Sequence, residues 1–154
     1  MKITAVRLFE TRGEMAFPGE FWEERLVRPV DIYPEYKAKG AGWLPKIDEG
    51  RYAMSATWCQ IETDEGVSGL SGPIGKHLAY IIQGQLAPQL IGRDPLATER
   101  IWDVAYRTMI HGRKGNDMIA LSAVDCALWD LKGKWAGVPV YRLLGGPTRE
   151  TIPA

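Results

Sequence analysis

Cysteine and histidine are scarce in this sequence, with two of each among 154 residues. Cys59 falls in an expected strand and Cys126 in an expected helix, each among apolar or small neighbours, as the reduced core thiols of a cytoplasmic protein do. That count excludes a disulfide-rich scaffold, and no paired-cysteine spacing marks a redox centre. His77 and His111 stand far apart with no Cys or carboxylate cluster around them. A zinc site therefore has no ligand set, and each histidine reads as solvated or structural rather than as a proton shuttle. An excess of either charge is also lacking: 19 Lys and Arg balance 19 Asp and Glu. With no basic run, the chain offers no electrostatic footprint for a nucleic acid. Long hydrophobic runs are missing as well. A membrane-spanning helix needs about 18 or more apolar residues, and Met1-Lys2-Ile3-Thr4 leads straight into an alternating segment, so no signal peptide is visible. The expectation is a cytoplasmic protein that engages neither membrane nor nucleic acid.

What is present is ordinary globular material, 45% apolar and 25% charged. A chain of this length buries roughly two-thirds of its unfolded surface, enough for one core. Lys2 to Glu10 is rich in Val, Ile, Leu and Phe and predicts a first strand. Met54 to Asp64 alternates, turns at Asp64-Glu65-Gly66, and returns as Val67 to Ser71, which predicts a hairpin. Gly69 and Gly72 weaken that return as a strand and point to a bulge or a close backbone approach. After Pro73 the spacing turns helical through Leu78, Ile81 and Ile82. Asp94-Pro95 reads as an N-cap followed by proline at the first helical position, with Ile101, Trp102, Ala105 and Met109 as the apolar face. The longest helix is capped by Asn116 or Asp117 and runs to about Ala136. Its stripe of Leu121, Val124, Leu128, Leu131 and Trp135 is a packing seam, beside a narrow strip of Ala120, Ala123 and Ala127. Gly137 and Pro139 end it. The fold class is α+β: a three-stranded antiparallel sheet followed by a helical bundle.

The run from Ala120 to Gly146, Ala-Leu-Ser-Ala-Val-Asp-Cys-Ala-Leu-Trp-Asp-Leu-Lys-Gly-Lys-Trp-Ala-Gly-Val-Pro-Val-Tyr-Arg-Leu-Leu-Gly-Gly, resembles the N-terminal signature of the mandelate racemase and muconate lactonising family of the enolase superfamily. The Asp64-Glu65-Gly66 hairpin and Gly92-Arg93-Asp94-Pro95, followed by Glu99, Ile101 and Trp102, echo it upstream. The resemblance implies a capping domain over residues 1–140, with residues 141–154 leading toward a (β/α) barrel that is absent from this chain. It also implies that the barrel holds Mg2+ through three acidic ligands and carries the Lys or His bases that abstract a proton beside a carboxylate. No catalytic residue and no metal ligand is expected within this chain. One departure matters: many relatives place a Glu after the glycines of the third strand, where this chain reads Gly69-Leu70-Ser71-Gly72-Pro73, so no role is carried onto it.

Function, on this reading, concentrates in the long segment 11–51, which is too long and too aromatic for an idle connection. The resemblance makes it a lid over the barrel mouth. Arg25 and Arg28 are candidates to pair with a substrate oxyanion. Trp22, Tyr33, Tyr36 and Trp43 are candidates to wall the pocket, with Lys46 or Arg51 adding charge. The competing reading of each is an ordinary loop or subunit contact. Arg113 and Lys114, in a glycine-flanked turn, read as a solvated basic loop. Asp125 reads as a part-buried acid tied to its neighbours by a hydrogen bond or ion pair, and Asp130 with Lys134 as a surface pair.

The reaction implied is dehydration of a sugar acid through an enolate, with racemisation or epimerisation, and cycloisomerisation, as alternatives. The expected partners are a small carboxylate substrate, the chain's own barrel, and further copies in a homo-oligomer. A reading from another class is a non-catalytic interaction domain whose last helix covers its alanine and leucine faces by self-association. An enzyme's capping domain predicts instead an exposed apolar surface facing the barrel and a mobile lid.

Overall fold

The computed structural model describes residues 1–18, 27–39 and 45–152. Four strands form one sheet: β1 (Ile3–Ala16), β2 (Lys46–Asp48), β3 (Arg51–Thr63) and β4 (Ser68–Ile74). Strand β3 is the hub. It neighbours β1, and it pairs antiparallel with β2 near Arg51 and Tyr52 and with β4 from Thr57 to Glu62. The expected three strands are there, and β2 is an addition from the segment whose sequence shows no periodicity.

The helices are α1 (Pro34–Lys37), α2 (Lys76–Ile81), α3 (Ala87–Leu90), α4 (Thr98–Thr108), α5 (Asn116–Ala136) and α6 (Val140–Leu143). Between α2 and α3 lies a π-helical turn, Ile82–Leu86. Pro88 has no N–H and its ring crowds the carbonyl four residues back, so a widened turn just ahead of it is the expected accommodation. Helix α4 begins later than its sequence implies. The Asp94 carboxylate accepts the Leu96 N–H at 2.9 Å and closes a separate turn, and helical bonding starts only with Ile101 N–H to the Ala97 carbonyl.

The chain divides into two units, one of Met1–Glu10 with Ala56–Ala154 and one of Thr11–Ser55. The first holds the main core cluster, and in the second Tyr52 is also buried. Ile3, Cys59, Ile61, Leu78, Ile82 and Leu86 pack with the inward faces of α4 and α5. Helix α5 packs against β4, α2, α4 and α6. Leu121, Val124, Leu128 and Leu131 are buried as the stripe predicts, but Trp135 is 53% exposed and is not core. The alanine and leucine faces are covered from within the chain, so they require no self-association. Apolar surface remains open at Tyr80, Ile110, Ile119 and Leu144.

Gly69 makes the closest approach to main chain in this unit. A Cβ there would stand 1.9 Å from the Ala127 carbonyl oxygen and 2.7 Å from Leu131 Cβ, so only glycine lets β4 lie on the alanine strip of α5. The Asp130 carboxylate accepts the Leu70 N–H at 2.8 Å and pins the strand in that register. At the far end of α5, Gly137 is left-handed at φ 68°. Val138 N–H reaches the Gly133 carbonyl, and Gly137 N–H the Lys134 carbonyl, which caps the helix.

Candidate functional site

Within the Thr11–Ser55 unit, Arg28 ties together the turn and short helix that follow it. Pro29 opens a 3-10 turn, Pro29–Ile32, and Asp31, three residues beyond Arg28, reaches back. The Asp31 Oδ2 accepts the Arg28 backbone N–H at 2.8 Å, while Oδ1 accepts from the guanidinium Nη2 at 2.7 Å. The same Nη2 donates to the Tyr36 carbonyl at 2.7 Å, drawing α1 onto the turn. These bonds from Arg28 hold the Asp31 carboxyl below the usual carboxylate range. Tyr33 and Tyr36 meet edge to face at 6.3 Å, and Lys39 Nζ lies 5.6 Å from the Tyr36 ring centre. The result is a knuckle of arginine, acid and tyrosines in which both oxygens of Asp31 already serve Arg28.

The candidates divide accordingly. Arg28 and Tyr36 are brought together. Lys46 opens β2, pairs through its backbone with Tyr52, and leaves an exposed ammonium with no hydrogen bond or ion pair among the described residues. Trp22, Arg25 and Trp43 lie outside the described residues. Arg51 donates to Asp48 Oδ2 at 2.8 Å and also pairs with Glu14, so its charge is used locally. Asp31 was overlooked in the sequence, although an arginine with an acid three residues on, flanking a proline, is a helix-start spacing that could have found it.

The first unit holds little that could do chemistry. Burial pushes the Cys59 thiol up to about 11, so it stays protonated at neutral pH. Cys126, expected in the core, is exposed on the outer side of α5. His77 and His111 are exposed. Asp125 has no hydrogen-bond or ion-pair partner among the described residues, against the expected tie. Its carboxyl is raised by burial and then by the charge of Glu99. Asp130 and Lys134 do pair, at 2.6 Å. Arg113 lies over the Tyr106 ring at 5.0 Å, and Tyr106 stacks on Trp102. No group of three His, Cys, Asp or Glu among the described residues could hold a metal ion, and no helix there is long and apolar enough to cross a membrane.

A small antiparallel sheet backed by a long alanine-faced helix, with a distinct early unit, makes this an α+β domain. Residues 51–145 match the mandelate racemase / muconate lactonizing enzyme, N-terminal domain, and the chain belongs to that family. It is similar to a D-mannonate dehydratase of Novosphingobium aromaticivorans, 45% identical over 97 residues, covering 60% of this chain and 24% of that protein. An L-rhamnonate dehydratase of Saccharopolyspora erythraea is 34% identical over 159 residues, covering 99% of this chain and 39% of the relative. Among solved structures, a mandelate racemase/muconate lactonizing protein from Paracoccus denitrificans, complexed with magnesium, superposes with a TM-score of 0.63 at 25% identity, over 99% of this chain and 32% of its own. The chain thus spans about a quarter to two-fifths of the curated relatives' lengths.

Proposed function

We propose that this chain is the substrate-capping and specificity domain of a magnesium-dependent enolase-superfamily enzyme that dehydrates a sugar acid through an enolate intermediate. What supports the reading most is the partition of Thr11–Ser55 from the sheet-and-helix body, in a chain similar to dehydratases of rhamnonate, galactonate and mannonate. A separate unit carrying arginine, lysine and aromatic side chains suits a lid that excludes water from an enolate and holds the distal hydroxyls of a sugar acid. Arg25 and Lys46 are assigned to the substrate's anionic or hydroxylated end, with Trp22, Tyr36 and Trp43 as walls. Arg28 positions the lid through Asp31 and Tyr36. The described residues of this chain do not fit a metal, so the magnesium and the bases are assigned to the barrel, and the functional oligomer to further copies.

The test is an assay of the enzyme carrying this domain against L-rhamnonate, D-galactonate and D-mannonate with Mg2+, reading the 2-keto-3-deoxy acid. Turnover of one acid, with Arg25→Met and Lys46→Met raising KM at least about tenfold, is expected. Exchange of the α-proton with solvent but no loss of water would replace dehydration by racemisation. Unchanged kinetics in both variants would remove the lid assignment.

A further inference from the structure

A pocket of about 250 Å3 opens in the first unit between the π-helical turn, α3, α4 and the connection at Gly92–Ala97. Its floor is apolar and buried: Leu86, Leu90, Ile101, Ala105 and Val124. At its exposed mouth stand Arg93 and Arg100, and neither guanidinium has a hydrogen-bond or ion-pair partner among the described residues. Arg7, Arg28, Arg51 and Arg107 are by contrast ion-paired, with Glu62, Asp31, Asp48 and Glu14, and Asp103, and Arg113 lies over Tyr106. Two unengaged arginines at the mouth of one apolar pocket form a cationic rim over a greasy floor.

Both are held by rigid backbone. Arg93 donates its N–H to the Leu90 carbonyl at 3.0 Å, and its own carbonyl accepts the Ile3 N–H at 2.9 Å, so it is clipped to β1. Arg100 sits in the first turn of α4. Asp94 also lines the pocket, but its carboxylate is turned to the Leu96 N–H, and the rim keeps a net positive charge. Gln89 is tethered by its amide to the Gln85 carbonyl at 2.8 Å. An apolar cavity of about 150 Å3 admits benzene, so this one has room for about ten non-hydrogen atoms.

We propose that this pocket binds an amphipathic monocarboxylate, its head on Arg93 and Arg100 and its hydrocarbon tail on Leu86, Leu90, Ile101 and Val124. A guanidinium pair selects a carboxylate by charge-assisted hydrogen bonds, and the floor rejects a ligand hydroxylated along its length because each buried hydroxyl would lack a partner. A sugar acid is therefore a poor occupant. This inference does not depend on the reaction proposed above.

Octanoate is a probe of the right size. Titrated into the chain by calorimetry, it is expected to bind saturably at one site. Octanol, which has the tail without the charge, and D-galactonate, which has the charge without the tail, are each expected to bind at least about tenfold more weakly. Arg93→Met and Arg100→Met keep the side-chain stem and should each weaken octanoate by a similar factor with unchanged thermal unfolding. Intermolecular NOEs from the octanoate methylenes to the methyls of Leu86, Leu90 and Val124 place the ligand independently of any variant. The proposal is overturned by absence of saturable binding, by octanol or galactonate matching octanoate, by indifference to both substitutions, or by NOEs to methyls elsewhere.

Discussion

Replacing Gly69 with alanine tests the packing on which the first unit rests. The added methyl would meet the Ala127 carbonyl oxygen at 1.9 Å, Leu131 Cβ at 2.7 Å and Leu131 N at 2.8 Å. Comfortable carbon contacts are about 3.5 Å or longer, so β4 and α5 would have to separate by roughly 1.5 Å. Two of the three obstacles are main chain inside a helix and cannot rotate away. Overpacking a core typically costs about 1–3 kcal/mol. The top of that range is expected here, because the shift also strains the Leu70–Asp130 bond beside the substituted position. A loss of about 3 kcal/mol lowers Tm by roughly 6–12 °C in a chain of this size. Urea unfolding followed by far-UV circular dichroism should show a lower midpoint at an unchanged slope. Gly13→Ala is the control, since a Cβ there meets nothing within 4 Å. If Gly69→Ala unfolds within about 1 kcal/mol of the parent, the strand does not lie on the alanine strip as described.

Three further outcomes follow from single contacts. Asp130→Ala removes the acceptor of the Leu70 N–H as well as the Lys134 pair and should cost about 1 kcal/mol, whereas Lys134→Ala should cost only a few tenths, both read by thermal unfolding. Asp125→Asn should raise Tm slightly at pH 7, by about 1–2 °C. The folded Asp125 carboxyl is raised by burial and by Glu99, so its negative charge opposes folding above that raised value. The benefit should shrink as pH falls through the raised pKa and disappear below about 3.9, where both states are protonated; an equal benefit at pH 3 would refute the cause. Asp31→Asn deprives the Arg28 guanidinium of its carboxylate, and amide hydrogen exchange should quicken from Arg28 to Ala38 while α5 is unaffected.

Helix α5 was readable because one physical cause, burial against neighbours, writes itself as a spacing of three and four, and because Gly137 marks its end. Gly69 was readable for the same reason: in a strand, a missing side chain reports a neighbour too close to admit one. Where the reading failed, two demands on one residue competed. Asp94 was read as a helix cap, but its short side chain closes a tighter turn first, and α4 starts beyond it. Trp135 continues the α5 stripe in spacing, yet it remains exposed. Periodicity says which residues share a face and nothing about how far the partner extends. The same limit hid Cys126, whose apolar neighbours in sequence occupy other faces of the helix. In the Thr11–Ser55 unit the candidate list found Arg28 and Tyr36 but not their junction, since the bond runs to a tyrosine carbonyl, which any residue carries.

The two units differ in what holds them. The core cluster draws on the strands and helices of the first unit and on no described residue of 11–55, where Tyr52 is buried apart from it. The described elements of Thr11–Ser55 are a 3-10 turn, a four-residue helix, a three-residue strand and strand ends, joined mainly by hydrogen bonds and ion pairs at exposed and half-buried positions. Structure of that kind opens locally at low free energy, well below the cost of unfolding a packed core. Substitutions among its polar side chains therefore change what the segment touches without drawing on the packing of β4 against α5. Exposed lysine and tyrosine side chains in this segment can be exchanged at little cost to the core cluster, whereas a methyl at Gly69 strains the packing of β4 on α5 directly. On the lid assignment proposed above, a domain built this way separates the residues that must stay fixed for the fold from those that would meet the substrate.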